Sequence, residues 1–254
     1  MSVVIVTLLI LLFFRVVYTF IIDKNIRLLS ASHKIIYAIP ISKNQIQRER
    51  FKPALGAFMD FIFLNAAYLF GIMHFSNSTM YEFLFLLLSH VFIVEPVYYF
   101  FHRLLHVGKL YRKHHLFHHK STVVAPNTSF TFTVVERFMY TVLFSFPLLL
   151  TSFLGFLSLS GLVIYVIVFD LLNMIGHTNV EFFPRGFYKS YFRYLIYTPS
   201  FHSQHHTKFT KNYSLFMPIF NIIFGTFEPS TAGVFDQVSD YRPLNKLSEK
   251  PVSN

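Results

Sequence analysis

The sequence contains no cysteine. This absence excludes disulfide bonds and any zinc or iron–sulfur site built on thiolate ligands. Charged residues are also scarce, at 13% of the 254 residues, whereas a soluble domain carries about 25%. Hydrophobic residues make up 54% of the chain, including 34 Phe, and the mean hydropathy is +0.48. Much of the molecular surface is therefore predicted to face lipid.

Acidic residues are the scarcer of the two charged classes, with 12 Asp and Glu against 22 Lys and Arg. The basic residues lie in blocks between apolar runs, which is the pattern of the positive-inside rule for membrane proteins. The net charge of +10 is thus explained by membrane topology, and we expect no nucleic-acid partner.

Apolar runs long enough to span a bilayer occupy residues 2–22, 54–75 and 80–101. A fourth apolar region, residues 138–169, is too long for one straight span and is interrupted near Pro147 and by two glycines. A hairpin of two helices fits it better. The predicted fold class is all-α, an integral membrane bundle of four to five transmembrane helices with a cytosolic, histidine-rich helical cap.

The loops between these runs predict the orientation. Residues 23–53, 102–137 and 176–212 are basic and are expected in the cytosol, whereas residues 76–79 carry no Lys or Arg and are expected on the opposite side. The first run lacks the features of a cleaved signal peptide and is interpreted as an anchor. The N-terminus is then outside and the C-terminus cytosolic.

Histidine occurs 13 times, and most copies are clustered within the basic loops. Spacings of three and four residues place side chains on one face of a helix, so each cluster can direct several imidazoles at one site. Two copies of the pattern HxxHH following one HxxxH form a specific signal for metal binding. The eight histidines are His102 and His106, then His115, His118 and His119, then His202, His205 and His206.

Eight imidazoles exceed the four ligands of a structural zinc ion, and this number favours two metals. Imidazole suits zinc, copper, iron and nickel, so ligand type does not identify the metal. The chain lacks the His-Glu-x-x-His pattern of a zinc protease and the Glu-x-x-His pattern of ferritin-like di-iron proteins. A zinc-dependent membrane lipid hydrolase remains the alternative to an oxidoreductase. A metal transporter fits less well, because its ligands would lie near the bilayer midplane. The isolated residues His33, His74 and His90 are interpreted as surface or packing residues.

Three further polar residues are candidates to orient ligand histidines through hydrogen bonds. Glu95 precedes His102 by seven residues, and Asp170 precedes His177 by seven, which on a helix is about two turns. Asn173 precedes His177 by one turn. The alternative for the two acids is simple ion pairing with nearby basic side chains. Asp60 in the second apolar run has no assigned role.

The order HxxxH, HxxHH, HxxHH resembles the fatty acid hydroxylase/sterol desaturase superfamily of membrane di-iron oxygenases, over roughly residues 80–230. Within this region, two segments resemble the N-terminal part of plant very-long-chain aldehyde decarbonylases. One runs from Asn173 through His177 to Glu181, and the other is Tyr197-Thr-Pro-Ser-Phe-His-Ser-Gln-His-His-Thr-Lys-Phe.

The resemblance implies two iron ions, and it adds His177 to the eight clustered histidines as a ligand. It also implies an O2-dependent reaction on a membrane lipid, either hydroxylation, desaturation or aldehyde deformylation of a sterol, fatty acyl chain or long-chain aldehyde. Electrons would come from cytochrome b5 and its NAD(P)H-dependent reductase. In a eukaryote the location would be the endoplasmic reticulum membrane. The expected organisation is an N-terminal anchor helix and basic cytosolic loop (1–53), a catalytic membrane domain (54–229) and a polar C-terminal tail (230–254).

Overall fold

The computed structural model describes residues 2–29, 33–77 and 79–251. Ten helices are named here, two of which, α4 and α5, contain a π-helical turn. They are α1 (Val3–Arg27), α2 (Lys43–Glu49), α3 (Lys52–Leu69), α4 (Met80–Leu105), α5 (108–119), α6 (Val134–Phe153), α7 (Leu159–Gly176), α8 (Pro199–Lys208), α9 (Ile219–Ile223) and α10 (Ser230–Ser239).

Short 3-10 helices cover Pro126–Phe130, Phe187–Lys189 and Tyr191–Tyr194. In the described parts of the chain the only β pairing consists of two isolated bridges. The all-helical fold is confirmed.

Four helices, α1, α4, α6 and α7, are long and apolar enough to cross a membrane. Helix α3, the second predicted span, is not among them, since Asp60 and Asn65 interrupt its apolar sequence. It nevertheless runs antiparallel to α1, because the Tyr68 hydroxyl at its C-terminal end lies 3.1 Å from the Ser2 hydroxyl that begins α1. The bundle thus has four apolar helices and a fifth, less apolar helix beside them.

The two short connections at one end of the bundle contact each other. Ser76 donates its backbone N–H to the carbonyl of Leu157 at 2.7 Å, and His74 donates to the Ser152 hydroxyl at 2.7 Å. Helix α6 continues through Pro147, and the hairpin turns at 154–158, where Gly155 has a φ of +77°. The opposite end of the bundle carries the long loops and all three histidine clusters.

A buried ion network joins the helices inside the bundle. Arg15 contacts Asp170 at 2.7 Å and Asp60 at 2.9 Å, and Arg137 also binds Asp60. The Tyr18 hydroxyl donates to Asp170 at 2.6 Å. Two guanidinium groups and two carboxylates balance in charge, which is what makes ionised groups tolerable inside a membrane. The network fixes α1, α3, α6 and α7 relative to one another.

The segment predicted as a polar tail begins with α10, whose apolar side is packed inside the molecule. Val234, Phe235 and Val238 are fully buried. Leu244 beyond it forms a bridge with Tyr37 and is also fully buried. At least residues 230–244 are therefore part of the folded layer at the histidine end of the bundle, because they cover the loops that follow α1 and α7.

We expect the Arg15→Ala variant to lose about 3–5 kcal/mol of stability, because it leaves two buried carboxylates without their shared cation. The measurement is thermal or denaturant unfolding of the purified protein in lipid nanodiscs. The matched control is Arg185→Ala, since the Arg185 side chain is 74% exposed in its pair with Asp240, and such surface pairs contribute about 0–1 kcal/mol. Equal losses in the two variants would contradict a structural role for the network.

Candidate metal centre

Nine histidines converge at the loop-bearing end of the bundle and form two groups. In each group the candidate ligand nitrogens all lie within 4.8 Å of one another. Group one contains His102, His106, His115, His119 and His205; group two contains His118, His177, His202 and His206. All nine positions singled out in the sequence are therefore brought together. The groups adjoin, since the rings of His119 and His206 are 4.7 Å apart.

Each HxxHH pattern supplies both groups. In α5, positions i and i+4 (His115 and His119) belong to group one, whereas i+3 (His118) belongs to group two. In α8 the assignment is exchanged, with His202 and His206 in group two and His205 in group one. Two short helices thus face each other across both groups, which explains why three histidines are packed into one and a half turns of each.

Main-chain carbonyls orient four of the nine rings. The Nδ1–H groups of His102, His205, His206 and His177 donate to carbonyl oxygens at 2.6–2.9 Å. The acceptors are, in the same order, Tyr213, Lys211, Ser121 and Asn173. A neutral imidazole that donates from Nδ1 has a free lone pair on Nε2. These hydrogen bonds therefore direct the coordinating atoms inward.

The donor set fits metal ions. His102 and His115 both donate from Nδ1, yet their Nε2 atoms lie 2.9 Å apart. Two lone pairs at this distance repel unless a cation lies between them. Nitrogen ligands 2.0–2.1 Å from a shared ion are roughly 2.8–3.4 Å apart at angles of about 90–109°. The other close Nε2 pairs, at 2.8, 3.0 and 3.2 Å, fall in the same range.

Burial keeps these rings neutral. Removal from water lowers the pKa of His205 to about 4 and that of His177 to about 3. Burial, together with the neighbouring imidazoles, also lowers the pKa of His118, His119 and His206 well below the usual histidine value. Neutral imidazole is the form that binds a metal. The cluster is thus prepared for coordination at neutral pH without prior loss of protons.

Glu136 is the carboxylate that contacts a candidate ligand, and it is not among the residues predicted from the sequence. Its Oε1 accepts the Nδ1–H of His115 at 2.5 Å. It lies in the first turn of α6, where the Thr133 hydroxyl caps the helix and directs the acid toward α5. A signal was present, because Glu136 is the sole acidic residue between positions 102 and 169.

The three residues predicted to orient histidines behave differently from the expectation. Asp170 binds Arg15 and Tyr18 instead of His177. Asn173 does hold His177, but through its main-chain carbonyl. Glu95 accepts the backbone N–H groups of Phe216 and Met217 at 3.0 and 3.2 Å. The partners of both acids come from parts of the chain distant in sequence, and for Asp170 the partner is a basic side chain, which is the ion-pairing alternative.

Glu95 still acts on the site indirectly. The loop that it holds contains Tyr213, whose carbonyl accepts the His102 N–H at 2.7 Å. The Asn221 side chain accepts the backbone N–H of Tyr213 at 2.7 Å and fixes the same loop. Glu95 is therefore a positioning residue for the loop that orients His102.

Comparison with known proteins agrees with this geometry. The fatty acid hydroxylase family model matches residues 87–226, more than half of the chain and the region that contains all nine histidines. The chain belongs to the fatty acid hydroxylase family.

Similar members of the family are found in plants. The protein CER1-like 1 of Arabidopsis thaliana is 42% identical over 152 residues, which cover 59% of this chain and 24% of that protein. The very-long-chain aldehyde decarbonylase GL1-4 of Oryza sativa is 43% identical over 151 residues, again 59% and 24%. The very-long-chain aldehyde decarbonylase CER1 of Arabidopsis thaliana is 40% identical over 155 residues. The chain thus spans about a quarter of the length of these relatives. No solved structure matches it.

The remaining histidines lie outside the two groups. His90 is half-buried against the Tyr165 hydroxyl, 3.0 Å from its Nδ1, and His74 is exposed near the far turn. His114 is half-buried beside His115 but belongs to neither group. Two tyrosine rings line group one: Tyr213 and Tyr111 have centroids 5.1 and 5.4 Å from that of His106.

We expect the Glu136→Gln variant to lower metal affinity about 10–100-fold. A neutral amide oxygen accepts a weaker hydrogen bond from the His115 N–H than a carboxylate does, so His115 becomes a weaker ligand. The measurement is metal retention during dialysis against a graded chelator series. The control is Glu95→Gln, since a glutamine oxygen can still accept the N–H groups of Phe216 and Met217. Equal metal loss in both variants would contradict a role for the Glu136–His115 hydrogen bond in metal binding.

Proposed function

We propose that this protein is an O2-dependent di-iron oxidoreductase that acts on a membrane lipid, through hydroxylation, desaturation or aldehyde deformylation. The observation that carries the proposal is the pair of histidine groups, five and four, within the region matched by the fatty acid hydroxylase family. The names of the plant relatives support a long-chain aldehyde as one substrate class. The alternative, a zinc-dependent lipid hydrolase, uses the same ligand types but needs neither O2 nor electrons.

The nine histidines would hold two iron ions, and iron in this setting supplies O2 activation for attack on an unactivated C–H bond or an aldehyde carbon. The chain's own residues supply the remaining requirements. Carbonyls and Glu136 hold five of the nine imidazoles in the tautomer that donates from Nδ1. The rings of Phe132 and Tyr98, centred 4.7 Å from His118 and 5.1 Å from His102, form the apolar wall that faces the bundle and keeps water out.

The electrons would come from an external donor, and cytochrome b5 with its NAD(P)H-dependent reductase is the proposed source. Lys109, Arg112 and Lys113 are exposed on α5, the helix that carries His115 and His119 of group one. Positive charge there favours encounter with an acidic carrier. Tyr111 on the same turn lies between this surface and His106.

The decisive measurement combines metal analysis with turnover of the full chain in nanodiscs. We expect two iron ions per chain and product formation from a long-chain aldehyde or fatty acyl lipid only when both O2 and a reductant are present. Full turnover under anaerobic conditions with stoichiometric zinc would refute the oxidoreductase and favour the hydrolase.

Variants in that assay separate the two groups. His205→Ala removes a ligand of group one and His118→Ala a ligand of group two, so each should abolish turnover and lower the iron content. The matched control is His114→Ala, which changes a neighbouring histidine that belongs to neither group. A variant of His118 or His205 that kept both iron and activity would remove that residue from the ligand set.

We also propose that the histidine end faces the cytosol, in the endoplasmic reticulum membrane of a eukaryotic cell. Because the chain has no native cysteine, single-cysteine variants report topology without background. In sealed vesicles with the cytosolic side outward, a membrane-impermeant maleimide should label Lys109→Cys at once and Asn77→Cys only after detergent is added. The reverse pattern would overturn the orientation.

A further inference from the structure

An apolar groove opens on the membrane-facing surface between α4 and α6. It has a volume of about 350 Å³, which lies in the range of roughly 300–1,000 Å³ found for small-molecule sites. Seven side chains line it, all apolar: Ile93, Val97, Phe101, Met139, Val142, Leu143 and Phe146. Since Val97 and Val142 are 46% and 42% exposed on helices that can cross the membrane, the groove opens toward lipid.

The groove is directed toward the histidines. On α4 its residues run from Ile93 to Phe101, the position immediately before His102. On α6 they run from Phe146 back to Met139, within one turn of Glu136. The end of the groove at Phe101 and Met139 is therefore the end nearest the metal centre.

Aromatic rings connect that end of the groove to group two. The ring of Phe101 is 5.7 Å from that of Tyr140, which is 4.9 Å from Phe132. Phe132 in turn stacks on His118 at 4.7 Å. Only two ring layers, Tyr140 and Phe132, thus separate the groove lining from a candidate ligand.

Two buried polar atoms lie at this junction. The Tyr140 hydroxyl and the Glu136 carboxyl are both buried and interact with each other. They form a polar pair beside a groove whose lining is otherwise apolar. A small oxygen-bearing end group, such as an aldehyde or a hydroxyl, can hydrogen-bond to this pair at the end of the groove.

From these observations we infer that the groove between α4 and α6 binds the hydrocarbon chain of the substrate, which approaches the metal centre sideways from the bilayer. The occupant is a single-chain lipid with a small oxygen-bearing end group, placed beside Tyr140 and Glu136. This inference rests on the proposed function for the identity of the substrate. The groove location rests on the packing of α4 and α6 alone.

The test uses hexadecanal carrying a mid-chain diazirine, with the full chain in phosphatidylcholine nanodiscs. After illumination, we expect cross-links in residues 93–101 and 139–146. Excess unlabelled hexadecanal should compete, whereas additional phosphatidylcholine should not. Cross-links elsewhere, or equal competition by phosphatidylcholine, would overturn the inference, because the groove would then be an ordinary lipid contact.

A matched pair of variants tests the groove directly. Val142→Trp fills it, and we expect the cross-link yield to fall about tenfold or more, equivalent to about 1.4 kcal/mol or more of binding free energy. Val168→Trp makes the same change on α7 at a position that is 49% exposed and outside the groove, and should leave labelling unchanged. Equal effects of the two variants would refute the site.

Labelling requires neither O2 nor a reductant. The groove and the oxidoreductase activity can therefore be refuted independently of each other. Specific labelling without O2-dependent turnover would leave the groove in place and overturn the oxidoreductase. Turnover that is insensitive to Val142→Trp, with no labelling of the groove, would overturn the groove and leave the oxidoreductase.

Discussion

The structure depends on keeping nine adjacent imidazoles neutral, with their coordinating nitrogens directed toward the centre of each group. Rings packed this closely repel one another when protonated, and their lone pairs repel when directed at one point without a cation. Burial meets the first requirement, since it lowers the pKa of His177 to about 3 and that of His205 to about 4. Nδ1 hydrogen bonds to carbonyls and to Glu136 orient five of the nine rings. A metal ion in each group would then convert the remaining repulsion into binding.

This requirement explains why many residues near the site supply no ligand but hold the groups that orient the histidines. The Ser121 carbonyl that orients His206 belongs to a residue whose hydroxyl donates to Glu49 at 2.7 Å and accepts from Arg48 at 2.8 Å. Glu49 is in turn paired with Arg27 at the end of α1. The N-terminal segment is therefore connected to the metal centre through three polar contacts and does more than anchor the chain.

The membrane part of the molecule contains two different environments, a charged network inside the bundle and an apolar surface that faces lipid. Ion pairs around Arg15 and Asp60 fix the helices to one another inside the bundle, where a single unpaired charge would be costly. The surface between α4 and α6 is instead uniformly apolar and open to lipid. At the end of this surface next to the histidines, Glu136 and Tyr140 supply a buried polar pair. This arrangement suits a reaction in which a hydrocarbon chain remains in an apolar environment while its end reaches the metals.

The helical membrane class and the eight clustered histidines follow from the sequence, because apolar run length and spacings of three and four are local properties of a helix. His177 lies in no cluster and was predicted only through the family resemblance. The sequence also predicted the hairpin of α6 and α7. The division of each HxxHH between two groups, the part played by Glu136 and the pairing of Asp170 with Arg15 were decided by the tertiary structure. Each of these depends on residues that are far apart in the chain, such as Arg15 and Asp170, and local periodicity carries no information about which distant helix will face a given side chain.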